Sequence, residues 1–527
     1  MSTNPVVNNP PRNEPNNLGH EKGHTSVRVL GVFILLVELG LLFAYGFGGY
    51  IINEIGSWGG VNAVVGGLIS MDLVYTGSGL IFYVVTLVFT LIAFGLLFAM
   101  NSRSTLTGFF LTFFVVGFTT ILSPTLQKFW FDVFLDGFGS ERTFNNSENS
   151  GLVDYAHYLS TTKIQISFYD MRISLLNAIS QLVVFYGLFQ RVNAAQVFLF
   201  STIYQITWTL NFALNTQLAA NQPDAAKRLM DDYGISQVFL FGSVFALVAS
   251  LFVKKPPRED LALGVALPHL PITSPQVANN EIGLLASTLG TFLLFVCFMS
   301  ITICFPVKSS RARYQWAEGY MNILFALCAS VFTNMFVTHI TKGKFGLREI
   351  HFGMIGGAIM AGPIAGTLDN PGAFMAIGTF AGLISALYYG FFHHKINRTR
   401  VYDTYGALFI FIVSFLGTFF IAPLVLIGMV RNEVTSVLLN NALITNGDVA
   451  GWSLVYVGIS VGIAALSGLF IGLLLKCLER EVVREFDDEN IFVPLPGLYD
   501  EAYVKSRIRV DDPYSQSASH LRGNAGI

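Results

Sequence analysis

The sequence predicts an all-α, polytopic membrane protein of about twelve transmembrane helices, and three observations carry that prediction. Charged residues make up 12% of the 527-residue chain, against about 25% in soluble globular proteins, too few to cover a body of this size in water. The apolar residues fall in long runs, and a span needs roughly 20 of them to cross about 30 Å of hydrocarbon. Lys and Arg alternate between dense and sparse from one loop to the next. The abundance of Gly (50) fits the same class, because Gly lets helices approach closely where water supplies no drive between them. A net charge of -2 and a pI near 6.5 give no reason to expect a nucleic-acid partner. The partner that composition demands is a lipid bilayer.

Taken in order, residues 1–26 form a polar tail rich in Asn and Pro, read as disordered. The first apolar run is too long for a signal-peptide core, and the tail is too poor in Arg for a mitochondrial presequence. The transmembrane domain is placed at 27–477, with spans near 27–49, 79–100, 105–123, 172–190, 194–214, 235–253, 282–305, 318–340, 350–368, 372–392, 404–430 and 451–477. The Gly-rich stretch 60–70 is too short for a span and reads as re-entrant or interfacial. Residues 124–171 form a long loop carrying the sequon Asn145-Asn146-Ser147. Residues 478–527 form a charged tail.

Loop charges orient the chain. One side carries Arg103, Arg191, Lys254, Lys255, Arg258, Lys342, Lys344, Arg348, Lys395, Arg398, Arg400 and the exit residues Lys476, Arg480 and Arg484; the other carries Lys227, Arg228, Lys308, Arg311, Arg313 and Arg431. The positive-inside rule puts both termini in the cytoplasm or its matrix equivalent. A missed helix would scramble this alternation, so the bias supports the count. Cys297, Cys304, Cys328 and Cys477 lie in or beside apolar runs without a CxxC spacing, as packing residues do. No Ser/His/Asp cluster, phosphate loop or metal-spaced set is visible, so no catalytic residue, metal or cofactor is expected.

Ionisable groups inside spans are costly and therefore informative. Glu38 sits mid-span in VFILLVELGLLFAY; it reads as a helix–helix hydrogen-bonding group, with a pore role as the rival. A second pattern repeats across the chain: Asp231-Asp232-Tyr233-Gly234 and Asp403-Thr404-Tyr405-Gly406 each open a span. An acid there can cap free N–H groups at the positive end of a helix. Matching positions in two halves are also what internally repeated transporters show.

The stretch from Arg348 to about Ala422 contains HFGMIGGAIMAG, NPGAFMAIGTFAGLISALYYGFF and VYDTYG. These segments resemble the ammonium transporter/Rh glycoprotein family, more closely its Rh branch. Weaker matches are Phe241–Leu247 and Asp488-Glu489-Asn490. The resemblance implies a homotrimer with one narrow pore per subunit, an inverted repeat of five plus five helices with flanking helices, and the plasma membrane; an organelle membrane stays open. It also implies a pore pair of histidines, each eight residues after an Asp. Counting eight from Asp231 and Asp403 gives Phe239 and Phe411. An ungapped alignment puts Leu176 and Ile301 at the family's outer phenylalanine gate.

Imidazole can donate, accept and pass protons near neutral pH; phenylalanine can do none of these. The expectation is a degenerate pore and a non-conducting structural or accessory subunit of a membrane assembly. The alternatives are a channel for ammonium, ammonia or CO2 by a remodelled route, an ammonium sensor, and transport of a different solute.

Overall fold

The computed structural model describes residues 49–51, 78–100, 105–137, 164–166, 168–220 except 190 and 193, 231, 234–253, 275–302, 312–365 except 344, 371–429 except 400 and 402, and 446–477. Its helices are α1 (Ser78–Leu97), α2 (Thr105–Gly137), α3 (Phe168–Leu188), α4 (Ala194–Ala220), α5 (Phe241–Ser250), α6 (Pro275–Cys297), α7 (Ala312–Lys342), α8 (Leu347–Ala361), α9 (Pro371–Leu387), α10 (Ala407–Met429) and α11 (Asn446–Cys477). Two five-residue π-turns interrupt this pattern. One, Ser236–Leu240, leads into α5, and the other, Tyr388–Phe392, follows α9.

Among the described residues, six stretches are long and apolar enough to cross a membrane: Thr107–Trp130, Met171–Leu188, Gln196–Thr216, Gly319–Lys342, Pro371–Phe392 and Leu454–Cys477. Four shorter apolar helices accompany them: Val85–Met100, Ser236–Ser250, Gly283–Cys297 and Ala407–Thr418. α3 is the central element, with 94% of Met171–Leu188 buried inside the protein. It packs on α2, α1 and α5; α5 packs on α11, and α10 bridges α5 to α8. α7, α8 and α9 form a tightly packed trio. Glycine makes that closeness possible: a Cβ on Gly378 or Gly382 of α9 would run into the backbone of Ala326 or Ser330 on α7. The outward faces are apolar: Leu285, Leu289, Phe292 and Val296 on α6, Phe332, Phe336 and Ile340 on α7, Leu466, Phe470 and Leu473 on α11. Such stripes on so many helices are surface for lipid or for neighbouring subunits.

Two expectations need correction. The third predicted span, 105–123, does not stop at 123: α2 runs through Pro124 to Gly137, so the following loop is shorter at both ends, with α3 beginning at Phe168. The continuation is held by a buried bond, Gln127 Nε2 donating to Ser123 Oγ (2.9 Å), and a part-buried one, Trp130 Nε1 donating to the Ile206 carbonyl (3.1 Å). Outside the helices, Gly49–Ile51 pairs in parallel with Ile164–Ile166, a three-residue ladder that leaves the all-α class unchanged. The predicted span 282–305 starts earlier, at Pro275, and breaks at Phe298 before a short turn, Met299–Thr302. The tails, the 60–70 stretch, Cys304, Asn145 and Glu38 lie outside the described residues.

The aromatic column, a candidate pore site

The same local device starts two helices of the bundle. Asp231 Oδ1 accepts from Ile235 N–H (3.0 Å) and Oδ2 from Ser236 N–H (2.5 Å). Asp403 Oδ1 accepts from Gly406 N–H (3.0 Å), and Oδ2 from Leu408 and Phe409 N–H (2.8 and 3.3 Å). In each case a glycine three residues on turns left-handed, Gly234 at φ 72° and Gly406 at φ 76°, a backbone state that Gly adopts without penalty. Both carboxylates are buried and lie in the turns before the spanning helices. Burial raises both from their ordinary range, Asp403 to about 7, and the N–H donors pull the other way. Both acids thus act as helix caps, the role physical chemistry assigns to an acid at that position.

Eight residues past each cap stands a phenylalanine, Phe239 in the π-turn and Phe411 in the first turns of α10. The two rings meet edge-to-face with centroids 5.4 Å apart, and both are 0% exposed. The π-turn that carries Phe239 is pinned from behind. Trp208 Nε1 donates to the Gln237 carbonyl (2.9 Å), and Ser180 Oγ donates to the Val238 carbonyl (2.7 Å) while meeting the Tyr204 hydroxyl (2.5 Å). A π-turn frees carbonyls from the regular ladder and often marks a functional segment; here those carbonyls have side-chain donors.

The pair belongs to a continuous column of rings. Phe298 stacks on Phe239 at 5.7 Å, with Phe94 at 6.0 Å on another side. Phe411 touches Phe352 at 6.1 Å, which reaches Tyr186 at 5.5 Å and Tyr405 at 6.5 Å. Tyr186 packs on Phe98 at 4.6 Å, and Phe98 on Phe189 at 5.1 Å. All these rings are buried. The two tyrosine hydroxyls are committed to the backbone, Tyr186 to the Phe94 carbonyl (2.6 Å) and Tyr405 to the Phe98 carbonyl (3.2 Å). Edge-to-face contacts are favourable by about 0.5–1.5 kcal/mol each beyond area burial. They turn ring faces toward other rings, so those faces are not presented to a cation.

Sequence reasoning found Phe239 and Phe411 but missed their neighbours. Phe298 lies three residues before Ile301, in the break after α6, and Phe94 and Phe98 sit four apart at the end of α1; that spacing was a readable signal, whereas the contact was not. Leu176 and Ile301 are buried in the same apolar core, and neither is aromatic. Of the histidines whose side chains the structure describes, His351 alone is buried. Its Nδ1 is hydrogen-bonded to the Thr291 hydroxyl of α6. Among the described residues no group of His, Cys, Asp and Glu could hold a metal ion.

A helical bundle with apolar outer faces and repeated, capped helix starts defines a polytopic membrane protein. The profile of the Ammonium Transporter Family matches residues 95–490, and the chain belongs to that family. It is similar to Rhesus-like glycoprotein A of Dictyostelium discoideum, 21% identical over 74% of this chain and 70% of that protein. It is also similar to the human blood group Rh(D) polypeptide, 23% identical over 64% and 74%. A third relative, Rhesus-like glycoprotein B of Dictyostelium discoideum, is 23% identical over 56% of this chain, and the chain spans about half (48%) of its length. Among solved structures, Nitrosomonas europaea Rh50 superposes with a TM-score of 0.59 at 18% identity, covering 84% of this chain and 98% of that one. Saccharomyces cerevisiae Mep2 gives 0.51 at 14% identity, covering 79% and 92%. The fold is therefore the all-α, multi-pass fold of this family, one of transporters and channels rather than enzymes.

Proposed function

We propose that this chain is a non-conducting member of its family, a structural or accessory subunit of a membrane assembly whose own pore is closed by phenylalanine. The observation that carries the reading is the buried edge-to-face contact of Phe239 and Phe411, eight residues past two matched acid caps. An ammonium ion that enters such a column gives up its water and receives no hydrogen-bond acceptor in return; an unpaired buried polar group costs on the order of 1–3 kcal/mol, and a bare ion far more. No group in the Phe239–Phe411 pair can carry a proton. Leu176 and Ile301 stand in this reading as altered outer-gate positions. The same reading gives a protein with no catalytic role, both termini on the cytoplasmic or matrix side, and a homotrimer or a larger complex as its assembled form.

The test is stopped-flow ammonia and methylammonium flux in proteoliposomes. The expected rate equals that of protein-free vesicles, and native pull-down should recover large partners outside the family. Rapid flux would overturn the reading in favour of a channel for ammonium, ammonia or CO2.

A further inference from the structure

A second polar site lies apart from the ring column, between α2, α3 and α4. Thr119, Ser123 and Gln127 share one face of α2 at four-residue spacing, Asn177 and Gln181 share one face of α3, and Gln205 comes from α4. Each of the six is 0% exposed. Gln205 Nε2 donates to Thr119 Oγ1 (2.7 Å) and to Gln181 Oε1 (2.6 Å), while Gln205 Oε1 accepts from Asn177 Nδ2 (2.5 Å). Ser123 Oγ receives Gln127 Nε2 (2.9 Å) and lies 3.4 Å from Asn177 Nδ2.

The set is linked but not complete. Gln127 Oε1, Asn177 Oδ1 and Gln181 Nε2 are buried without a hydrogen-bond partner. Turning Asn177, Gln181 or Gln205 alone sets like against like at Gln205, and turning Gln127 alone exchanges its unmet acceptor for an unmet donor. Turning the amides of Asn177, Gln181 and Gln205 together keeps the bonds among them and leaves the outward atoms unmet with donor and acceptor exchanged. Each unmet atom costs on the order of 1–3 kcal/mol, and lipid offers nothing to meet it.

The unmet atoms include acceptors and a donor, and the six side chains carry no formal charge. The nearest fixed charge on α3 is the buried guanidinium of Arg172, five residues before Asn177, about 7.5 Å along the helix. A cation would find no counter-charge among the six side chains, and an anion would meet the two unmet acceptors, Gln127 Oε1 and Asn177 Oδ1. Water offers two donors and two acceptors and typically makes about three hydrogen bonds in such places. We propose that this seam is a built hydration site, a blind slot that holds ordered water between three helices. It is blind because the faces continue as Val115 and Leu111 on α2 and Phe185 on α3, all buried and apolar. The site does not depend on whether the ring column blocks flux.

The full chain in lipid nanodiscs, solved by electron cryo-microscopy at a resolution that shows water, should give density within hydrogen-bonding reach of at least two of the three unmet atoms. Amides turned onto one another with no density between them would overturn the proposal. Water-edited solid-state NMR on 15N-labelled side-chain amides gives an independent reading. Asn177 and Gln181 should polarise from water early, and Gln181→Met should remove its own signal and slow that of Asn177. If Gln181→Met does not fold, Gln127→Met at the end of the slot serves the same comparison. Transfer as slow as in the dry core would sink the idea, and so would a shift of these signals on adding ammonium chloride, which would mark a cation site.

Discussion

Truncating Phe411 to alanine removes a fully buried ring that touches Phe239 at 5.4 Å and Phe352 at 6.1 Å, both edge-to-face. In water-soluble cores such a truncation costs about 3–5 kcal/mol. Part of that figure is transfer from water, which a membrane helix does not regain, since lipid tails are as apolar as the ring. What remains is the two ring contacts, about 0.5–1.5 kcal/mol each, so the expected loss is about 1–3 kcal/mol. A double-mutant cycle with Phe239→Ala isolates the shared contact, with an expected coupling of about 0.5–1.5 kcal/mol. Reversible unfolding in mixed micelles measures the stabilities, and methylammonium flux in proteoliposomes measures the path. Phe411→Ala should be less stable and still closed, because Phe239 remains packed between Phe298 and Phe94. A coupling of zero would refute the contact, and flux in the single variant would refute a seal made of several rings.

Burial holds the Asp403 carboxyl at about 7, above its ordinary 3.8, so the folded state binds that proton more tightly than the unfolded one. The stability from this group is complete below the ordinary value and is lost as pH climbs through about 7. Thermal melting should therefore fall as the pH rises across that window, and Asp403→Asn should flatten the dependence; an unchanged profile in the variant would contradict the assignment. Gly378→Ala forces a methyl into the Ala326 backbone and should cost about 1–3 kcal/mol, whereas Gly458→Ala, with open space around it, should be neutral or stabilising by up to about 1 kcal/mol; equal melting shifts for the two would refute the close packing. Ser180→Ala strips the donor from the Val238 carbonyl and should cost about 1–3 kcal/mol; an unchanged melting temperature would show that another group meets that carbonyl.

The spans within the described residues were legible because they depend on composition over some 20 residues, a signal that no single side chain can hide. The limit at Pro124 was misread for a physical reason. Proline and the polar residues that follow look like a loop in water, yet a membrane helix carries them when Ser123, Gln127 and Trp130 find partners inside the protein. The π-turns at Ser236–Leu240 and Tyr388–Phe392 left no trace in the hydrophobic pattern, since one extra residue per turn is smaller than the boundary error. The eight-residue step from Asp to Phe could be counted in both halves. That Phe298, from a different helix, lies flat on Phe239 could not, because it depends on how α6 breaks at that residue. The polar seam of α2, α3 and α4 could have been seen as four-residue spacing of Thr119, Ser123 and Gln127, but only the packing shows that Gln205 closes it.

The two levels of the site answer to different demands. The carboxylates of Asp231 and Asp403 meet backbone N–H groups that would otherwise be buried without acceptors, and every helix that starts inside a buried body needs such a group whatever passes through the protein. The ring positions eight residues on meet no backbone need. They can be filled by any side chain of the right volume without disturbing the caps, the left-handed glycines or the packing of α3 against α5. A chain can thus keep the fold and the repeated helix starts of its family while the chemistry at the centre changes class. Family membership then fixes the architecture, and under the proposed function the activity turns on two side chains, so Phe239 and Phe411, rather than the acids, are where that proposal has to be tested.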